Sequence, residues 1–156
     1  MPADGPRLVP ADGLRAAAEA VLAAERARLA PLLPPHELLL TGGCSVPGAL
    51  TKGDVDLHLR VGPADFAAAV AVLRTLYPVV LPEIWQPTLA TFAVPAALPA
   101  GLAATPAGSA HDVRFTTTWR ALRADPALLA QYNALKLDPA PGYEQRKSAF
   151  FDRVSG

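Results

Sequence analysis

Charge, aromatic rings and cysteine are all scarce in this chain. Asp, Glu, Lys and Arg make up 18% of the 156 residues, against ~25% in ordinary globular proteins. Lys+Arg and Asp+Glu are balanced at 14 each, for a formal net charge of zero. Long nucleic acid is held by an excess of cations that displaces counterions, so a partner of that kind is not expected. The lone cysteine, Cys44, cannot close an internal disulfide, which fits a reducing interior and excludes a disulfide-stapled scaffold. No uninterrupted apolar run reaches the ~18 residues of a membrane helix. The opening MPADGPRLVPADG has no basic segment followed by an apolar one, as a secretion signal has. The expectation is a cytoplasmic domain without a membrane partner. His36, His58, His111 and Cys44 also lack the spacing of a structural zinc site.

What the chain has is apolar: 51% of its residues, many of them alanine. Its length suits one domain around one core. Residues 1–10 read as a loose arm. From Asp12, a candidate N-cap, the apolar period is helical through Leu14, Ala18, Val21, Leu22 and Leu29, and Pro34-Pro35 ends it. ELLLTGG reads as a buried strand closed by a glycine turn, and DVDLHLRV alternates strictly, the period of a strand with two unlike faces. A helix follows with Phe66, Val70, Leu73 and Tyr77 on one stripe, limited by Pro78. A short strand is expected around Thr91 to Val94, then a flexible loop in PAALPAGLAATPAGSA, then a strand in HDVRFTT carrying Asp112, Arg114 and Thr116 on one face. Asp125-Pro126 opens a helix as N-cap and N1 proline, and YEQRKSAFFDRV supplies a last one. The fold class is therefore α/β (α+β): one domain, with a small mixed sheet flanked by N-terminal and C-terminal helices.

The chemistry gathers in TGGCSVPGALTKGDVDLHLRV, residues 41–61. Gly43 and Gly48 have the spacing of the front of a P-loop, but Ala49-Leu50 stand where Lys and Ser or Thr are required, so that motif fails. A strand ending in Gly-Gly still lets its amides, from Gly42 through Gly43 and Cys44 to Ser45, approach an anion closely. Asp54 and Asp56 are two apart on a strand, which sets their Cα atoms roughly 7 Å apart on one face. Two readings compete: a solvated strand face, or a carboxylate pair converging on a hard cation such as Mg²⁺ (or Mn²⁺) that also takes substrate phosphates. Lys52, just before the pair, and Asp112, on the polar face of a later strand, favour the second. Arg60 shares the Asp face and suits either a phosphate or a surface ion pair. Cys44 has no histidine neighbour to activate it. Lys147 shares a helical face with Tyr143 and Phe150 and is a candidate to reach a cleft.

These residues carry a resemblance. A strand closed by Gly-Gly, then about ten residues, then Asp-x-Asp is similar to the signature of the DNA polymerase β-like nucleotidyltransferase superfamily. GGCSVPGALTKGDVDL resembles, more narrowly, the GrpB family, which commonly carries GSTSVPGLAAKPxIDI at this place, and YEQRKSAFF resembles that family's closing helix. The likeness spans roughly residues 12 to 152 and is most specific at SVPG and KSAF. It implies a nucleotidyltransferase-like fold and the transfer of a nucleoside monophosphate with the help of two Mg²⁺ ions. The substrate would be a nucleoside triphosphate and the acceptor a hydroxyl of a small molecule or a protein. Asp54, Asp56 and Asp112 would be the metal-binding and catalytic carboxylates, with Glu83 as the fallback for the third. The nucleotide would lie against Gly42, Gly43, Cys44, Ser45, Lys52, Arg60 and Lys147. A non-catalytic nucleotide- or metabolite-binding module of the same fold is the alternative. Gly43 replaces the usual serine, Gly53 the usual proline, and Asp54 an apolar residue, while residues 111–114 read His-Asp-Val-Arg where the family tends to be histidine-rich.

Overall fold

The computed structural model describes residues 7–82 and 85–156. In chain order the elements are β1 (Val9–Pro10), α1 (Arg15–Leu29), β2 (His36–Thr41), β3 (Leu50–Thr51), β4 (Val55–Val61), α2 (Phe66–Leu76), β5 (Ala90–Ala93), β6 (Ala100–Pro106), α3 (Ala110–Ala124), α4 (Pro126–Leu137) and α5 (Tyr143–Ser155). The main sheet runs β2-β4-β6-β5. β4 is antiparallel to β2 and parallel to β6, and β5 closes the edge antiparallel to β6. The sheet is mixed and flanked by helices, the expected class.

The alternation of β4 sets the layers. Val55, Leu57, Leu59 and Val61 are buried in one cluster with Ala18 and Leu29 of α1 and Ala69 and Leu73 of α2. Full burial of side chains of this size stabilises by about 1.5–3 kcal/mol each. The even residues of β4 point the other way, where α3 lies: His58 meets Phe115 edge-on at 5.4 Å. A second cluster joins α3, α4 and α5 through Leu122, Tyr132 and Phe150. In it the Trp119 ring stands edge-on to Tyr132 at 5.7 Å and to Phe151 at 5.4 Å.

Two expected elements are corrected. The stretch expected to be a flexible loop contains β6, which lies between β4 and β5 with α2 against one face and α3 against the other. Small side chains suit this place, because Ala104 and Thr105 are fully buried under close-packed helices. HDVRFTT is the opening of α3 rather than a strand. Ser109 caps it by accepting the Asp112 amide at 3.3 Å, which satisfies one of the N-terminal amides that a helix leaves without an internal partner. Two smaller corrections concern the start of the chain. Val9–Pro10 is no loose arm but pairs with Leu50–Thr51, while residues 1–6 of that arm lie outside the described residues. Asp12 caps no helix; it accepts the Gly48 amide at 3.0 Å from within a 3₁₀ turn that precedes α1. Asp125 does cap α4 as expected, accepting from the amides of Ala127 and Leu128.

Helix α4 then fixes the loop before β4. Asn133 Oδ1 accepts the Leu50 amide at 2.9 Å, and its Nδ2 donates to the Gly48 carbonyl at 3.0 Å. Lys136 Nζ donates to the Leu50 carbonyl at 3.0 Å. Replacing Asn133 by Ala removes two of these three ties. It is expected to cost about 1–2 kcal/mol in urea denaturation and to speed hydrogen exchange at the Leu50 amide. Unchanged exchange there would mean that α4 does not hold this loop.

Candidate functional site: a carboxylate and lysine cleft at the glycine turn

The site begins with one close approach. Gly42, at the end of β2, has φ 70 and ψ −169, a conformation open essentially to glycine alone. A Cβ there would fall 2.3 Å from Asp56 Oδ2. The β2–β4 register, which pairs Thr41 with Asp56, brings the turn over this carboxylate. Asp54 immediately precedes β4, so the two carboxylates reach a common cavity of about 630 Å³ lined also by Gly42, Gly43, Lys52, Lys136 and Lys147. Its size lies in the range of small-molecule sites, ~300–1,000 Å³.

Three lysines, from the β3–β4 loop, α4 and α5, face the carboxylates. Lys52 Nζ lies 3.4 Å from Asp54 Oδ2 in an exposed pair, a contact of little energetic weight in water. Lys136 rises from α4 with its ammonium 4.9 Å from the centre of the Tyr132 ring. Burial, reinforced by the charge of Lys147, pushes Lys136 down to about 8 against the pull of Asp56. Lys147 enters from α5, with Nζ 5.9 Å from the Tyr143 ring. Asp56 still meets solvent on the cleft floor, yet the protein around it strips much of its hydration. That desolvation, with the neighbouring Asp54 charge, raises its pKa, and Lys147, Lys52 and Lys136 offset the shift only in part.

This donor set bears on the expected metal. Hard oxygens from Asp54 and Asp56 suit one Mg²⁺, which typically takes one or two carboxylates and completes its shell with substrate phosphates and water. Among the described residues there is no group of three His, Cys, Asp or Glu side chains placed to hold an ion. A cage made wholly of protein is thus absent there, and a bridged second ion lacks its third carboxylate.

The other expected site residues are elsewhere. Asp112, expected as the third carboxylate, is buried on α3 and does not line the cleft. Arg60 grips it in a fork, Nε to Oδ1 at 2.6 Å and Nη2 to Oδ2 at 2.9 Å, and the Gly108 amide donates at 2.8 Å. Burial alone would raise its pKa, but these bonds prevail and hold it below the usual carboxylate range. Arg60 is thereby committed to Asp112 and to Glu37, at 2.8 Å, instead of facing a phosphate. Cys44 turns inward and donates to the Asp54 carbonyl at 2.9 Å, its thiol pushed up by burial. Ser45 is buried too; its hydroxyl donates to the Gly42 carbonyl at 2.7 Å and accepts from Arg123 at 3.1 Å. Both brace the turn rather than line the cleft. Glu83 lies outside the described residues. The position paired with Asp56 on β6 is Gly101, so the neighbouring strand offers no carboxylate there either.

Lys136 went unnoticed in the sequence, although it follows Tyr132 by four residues, the spacing of one helical face. Gly43 gives it room: a Cβ at that position would lie 3.4 Å from Lys136 Nζ. The ammonium therefore stands beside the place that a serine side chain would take.

No protein-family model matches the chain. It is 28% identical to a UPF0157 protein of Vibrio cholerae over 98% of its own length and 84% of that protein. The crystal structure of conserved protein GrpB from Enterococcus faecalis superposes with a TM-score of 0.70 at 17% identity, covering 96% of this chain and 94% of that one. The chain has the GrpB fold, in agreement with the resemblance carried by its motifs.

Two outcomes separate the buried network from the cleft. Asp112→Ala leaves the Arg60 guanidinium with only the exposed Glu37 and takes the acceptor from the Gly108 amide. It should cost about 2–3 kcal/mol, less than the 3–5 kcal/mol of a fully buried pair because Arg60 keeps solvent contact. The circular-dichroism melt of this variant should fall accordingly, and an unchanged melt would remove the structural role assigned here. The second concerns acid. Burial, with Arg60 nearby, lowers His58 to about 4 against the pull of Asp112, and its Nε2 lies 2.7 Å from the Thr105 hydroxyl. The unfolded chain takes up this proton near 6.5 and the folded one only near 4. The stabilisation is therefore complete above pH ~6.5 and lost on acidification toward pH ~4, a change of up to about 3 kcal/mol. His58→Gln should flatten urea-derived stability across that window, and an unaltered slope would exclude His58 as its source.

Proposed function

We propose that the cleft binds a nucleoside triphosphate with Mg²⁺ and transfers its nucleoside monophosphate to a hydroxyl of a small molecule or a protein. The observation that carries this reading is the meeting of Asp54 and Asp56 with Lys52, Lys136 and Lys147 beneath the Gly42 turn. Both signs of charge face one cavity, as a metal–polyphosphate ligand requires.

Lys52, Lys136 and Lys147 would neutralise the phosphates, and the absence of side chains at Gly42 and Gly43 would let an anion approach the turn backbone. Asp54 and Asp56 would hold Mg²⁺, which supplies charge neutralisation at the phosphoryl oxygens. The acceptor oxygen would bond to the α-phosphorus as the bond from α-phosphorus to the bridging oxygen breaks. Pyrophosphate would depart with that electron pair. The hydroxyl proton would pass to Asp56, which lines both the cleft and the cavity beside it. Electrostatic stabilisation of the transferring group by fixed cations would supply most of the acceleration.

A second reading, binding of a nucleotide or metabolite without turnover, is favoured by one observation. The third carboxylate is missing from the described cleft, with Asp112 held by Arg60 and Gly101 beside Asp56. The same assay addresses both. A mixture of nucleoside triphosphates with Mg²⁺ should raise the melting temperature, and Asp56→Ala should abolish the rise. Lys136→Met should weaken binding by about tenfold or more, the value of a hydrogen bond to a charged group. Pyrophosphate release with a pool of hydroxyl acceptors marks the transferase. Stabilisation without release under any acceptor marks the binding module, and no stabilisation at all rejects both.

A further inference from the structure

Beside the charged cleft lies a second cavity of about 350 Å³ with very different walls. Phe115, Trp119 and Phe151 of the helices line it, with Ala103, Val80 and Leu81. It shares Gly42, Asp56, Trp119 and Lys147 with the cleft, so the two are compartments of one site that meet at the Asp56 carboxylate. For scale, an engineered apolar cavity of about 150 Å³ admits benzene. This space therefore accommodates a ring with substituents.

Gly101 keeps the compartment open. It stands directly across the ladder from Asp56, and so on the same face of the sheet. A Cβ there would meet nothing nearer than the Phe92 carbonyl oxygen at 3.6 Å, and its backbone is not left-handed. Neither packing nor dihedral angles require glycine at this position. What the glycine provides is empty volume next to Asp56.

The walls also indicate the occupant. Among the described residues their side-chain polarity is confined to threonine hydroxyls, the rim charges and Asp56, with no Asn or Gln. Arg114 at the rim is already paired with Asp152. A nucleobase buried here would face a shortage of partners for its amide-like edge, at the cost of unpaired polar groups. An apolar body with a single hydroxyl has no such difficulty. Thr118 Oγ1, in the same wall, is buried with no hydrogen-bond partner among the described residues, an unspent hydroxyl of the kind one ligand oxygen can satisfy.

We infer that this compartment holds the acceptor, and that the acceptor is a small alcohol or phenol with an aromatic or branched aliphatic body and its hydroxyl directed toward Asp56. The inference rests on the nucleotidyl-transfer reading and narrows its acceptor from any hydroxyl to an apolar one. The new P–O bond would form to that oxygen, its proton passing to Asp56 and pyrophosphate leaving.

Benzyl alcohol, glycerol and adenosine serve as probes, read by the Trp119 indole signal in ¹H–¹⁵N NMR, and inorganic triphosphate with Mg²⁺ is read by thermal shift. Gly101→Val fills the compartment, and the milder Gly101→Ala covers the case in which valine impairs folding. Benzyl alcohol should saturate the wild-type signal at millimolar concentration, bind at least tenfold more weakly to Gly101→Val, and less weakly affected to Gly101→Ala. Glycerol should not bind, and triphosphate stabilisation should persist in all three proteins. The inference is overturned if benzyl alcohol binds wild type and Gly101→Val alike, if it does not saturate, or if adenosine takes its place and is the probe lost on filling. Loss of the triphosphate shift in every protein, with benzyl alcohol still bound, would reject the nucleotide reading and the acceptor role while leaving the apolar compartment occupied.

Discussion

The hold of Arg60 and the Gly108 amide on Asp112 joins the two halves of this molecule. It ties the first turn of α3 to the far end of β4, and with α3 come the helices that pack against it. Thr105 and His58 extend the network across β6 and β4, leaving no member without a partner. A network of this kind is valuable only when complete, since each buried group deprived of its partner costs its full desolvation. The cleft lies at the other end of the strand. Residues 56 and 60 share a face and are separated by roughly 13 Å at the usual strand rise. One end fastens the helical layer, and at the other the layers part to form the cleft.

This division explains what the sequence could and could not reveal. Asp56, His58 and Arg60 follow one period and look alike as letters, yet Asp56 lines the cleft while His58 and Arg60 face the buried network. Alternation identifies a face; it does not say which of its residues a helix will cover. β4, the cap at Asp125 and Lys147 on α5 were legible because each rests on local spacing or local capping chemistry. β6 was not, since AGLAATP has a single β-branched residue, Thr105, and no aromatic one to mark a strand, and its fit depends on helices more distant in sequence. The start of α3 was legible in principle. Ser109 followed three residues later by Asp112 is a helix-entry signal related to the capping box, but the valine, phenylalanine and threonines of HDVRFTT argued for a strand. Misplacing that segment carried Asp112 into the wrong role.

The departures from the GrpB motif gain a physical sense together. Gly43 lacks the family's serine hydroxyl, and Lys136 brings its ammonium to within 3.4 Å of where that side chain would begin. A charged donor therefore stands at this place, and charged donors make the stronger hydrogen bonds to phosphate. The proline-to-glycine change at Gly53 supplies a residue able to adopt its φ of 102, placing Lys52 and Asp54 on either side of a left-handed bend. With Asp54 in place of an apolar residue, the cleft gathers charge of both signs in a chain otherwise poor in it.

Such concentration has a cost, and its form points to the ligand. Asp56 is desolvated beside Asp54, and Lys136 is desolvated beside Lys147. Each like-charge pair opposes the charged state of its buried member, and the facing pair of opposite sign relieves only part of that. A bare anion would satisfy the lysines and aggravate the carboxylates; a bare cation would do the reverse. A ligand with a cation on one side and an anion on the other would relieve both, the pattern of the metal–polyphosphate proposed above. The glycine at 42, intolerant of any side chain because Asp56 is so close, keeps the carboxylate and the turn backbone within reach of the same ligand.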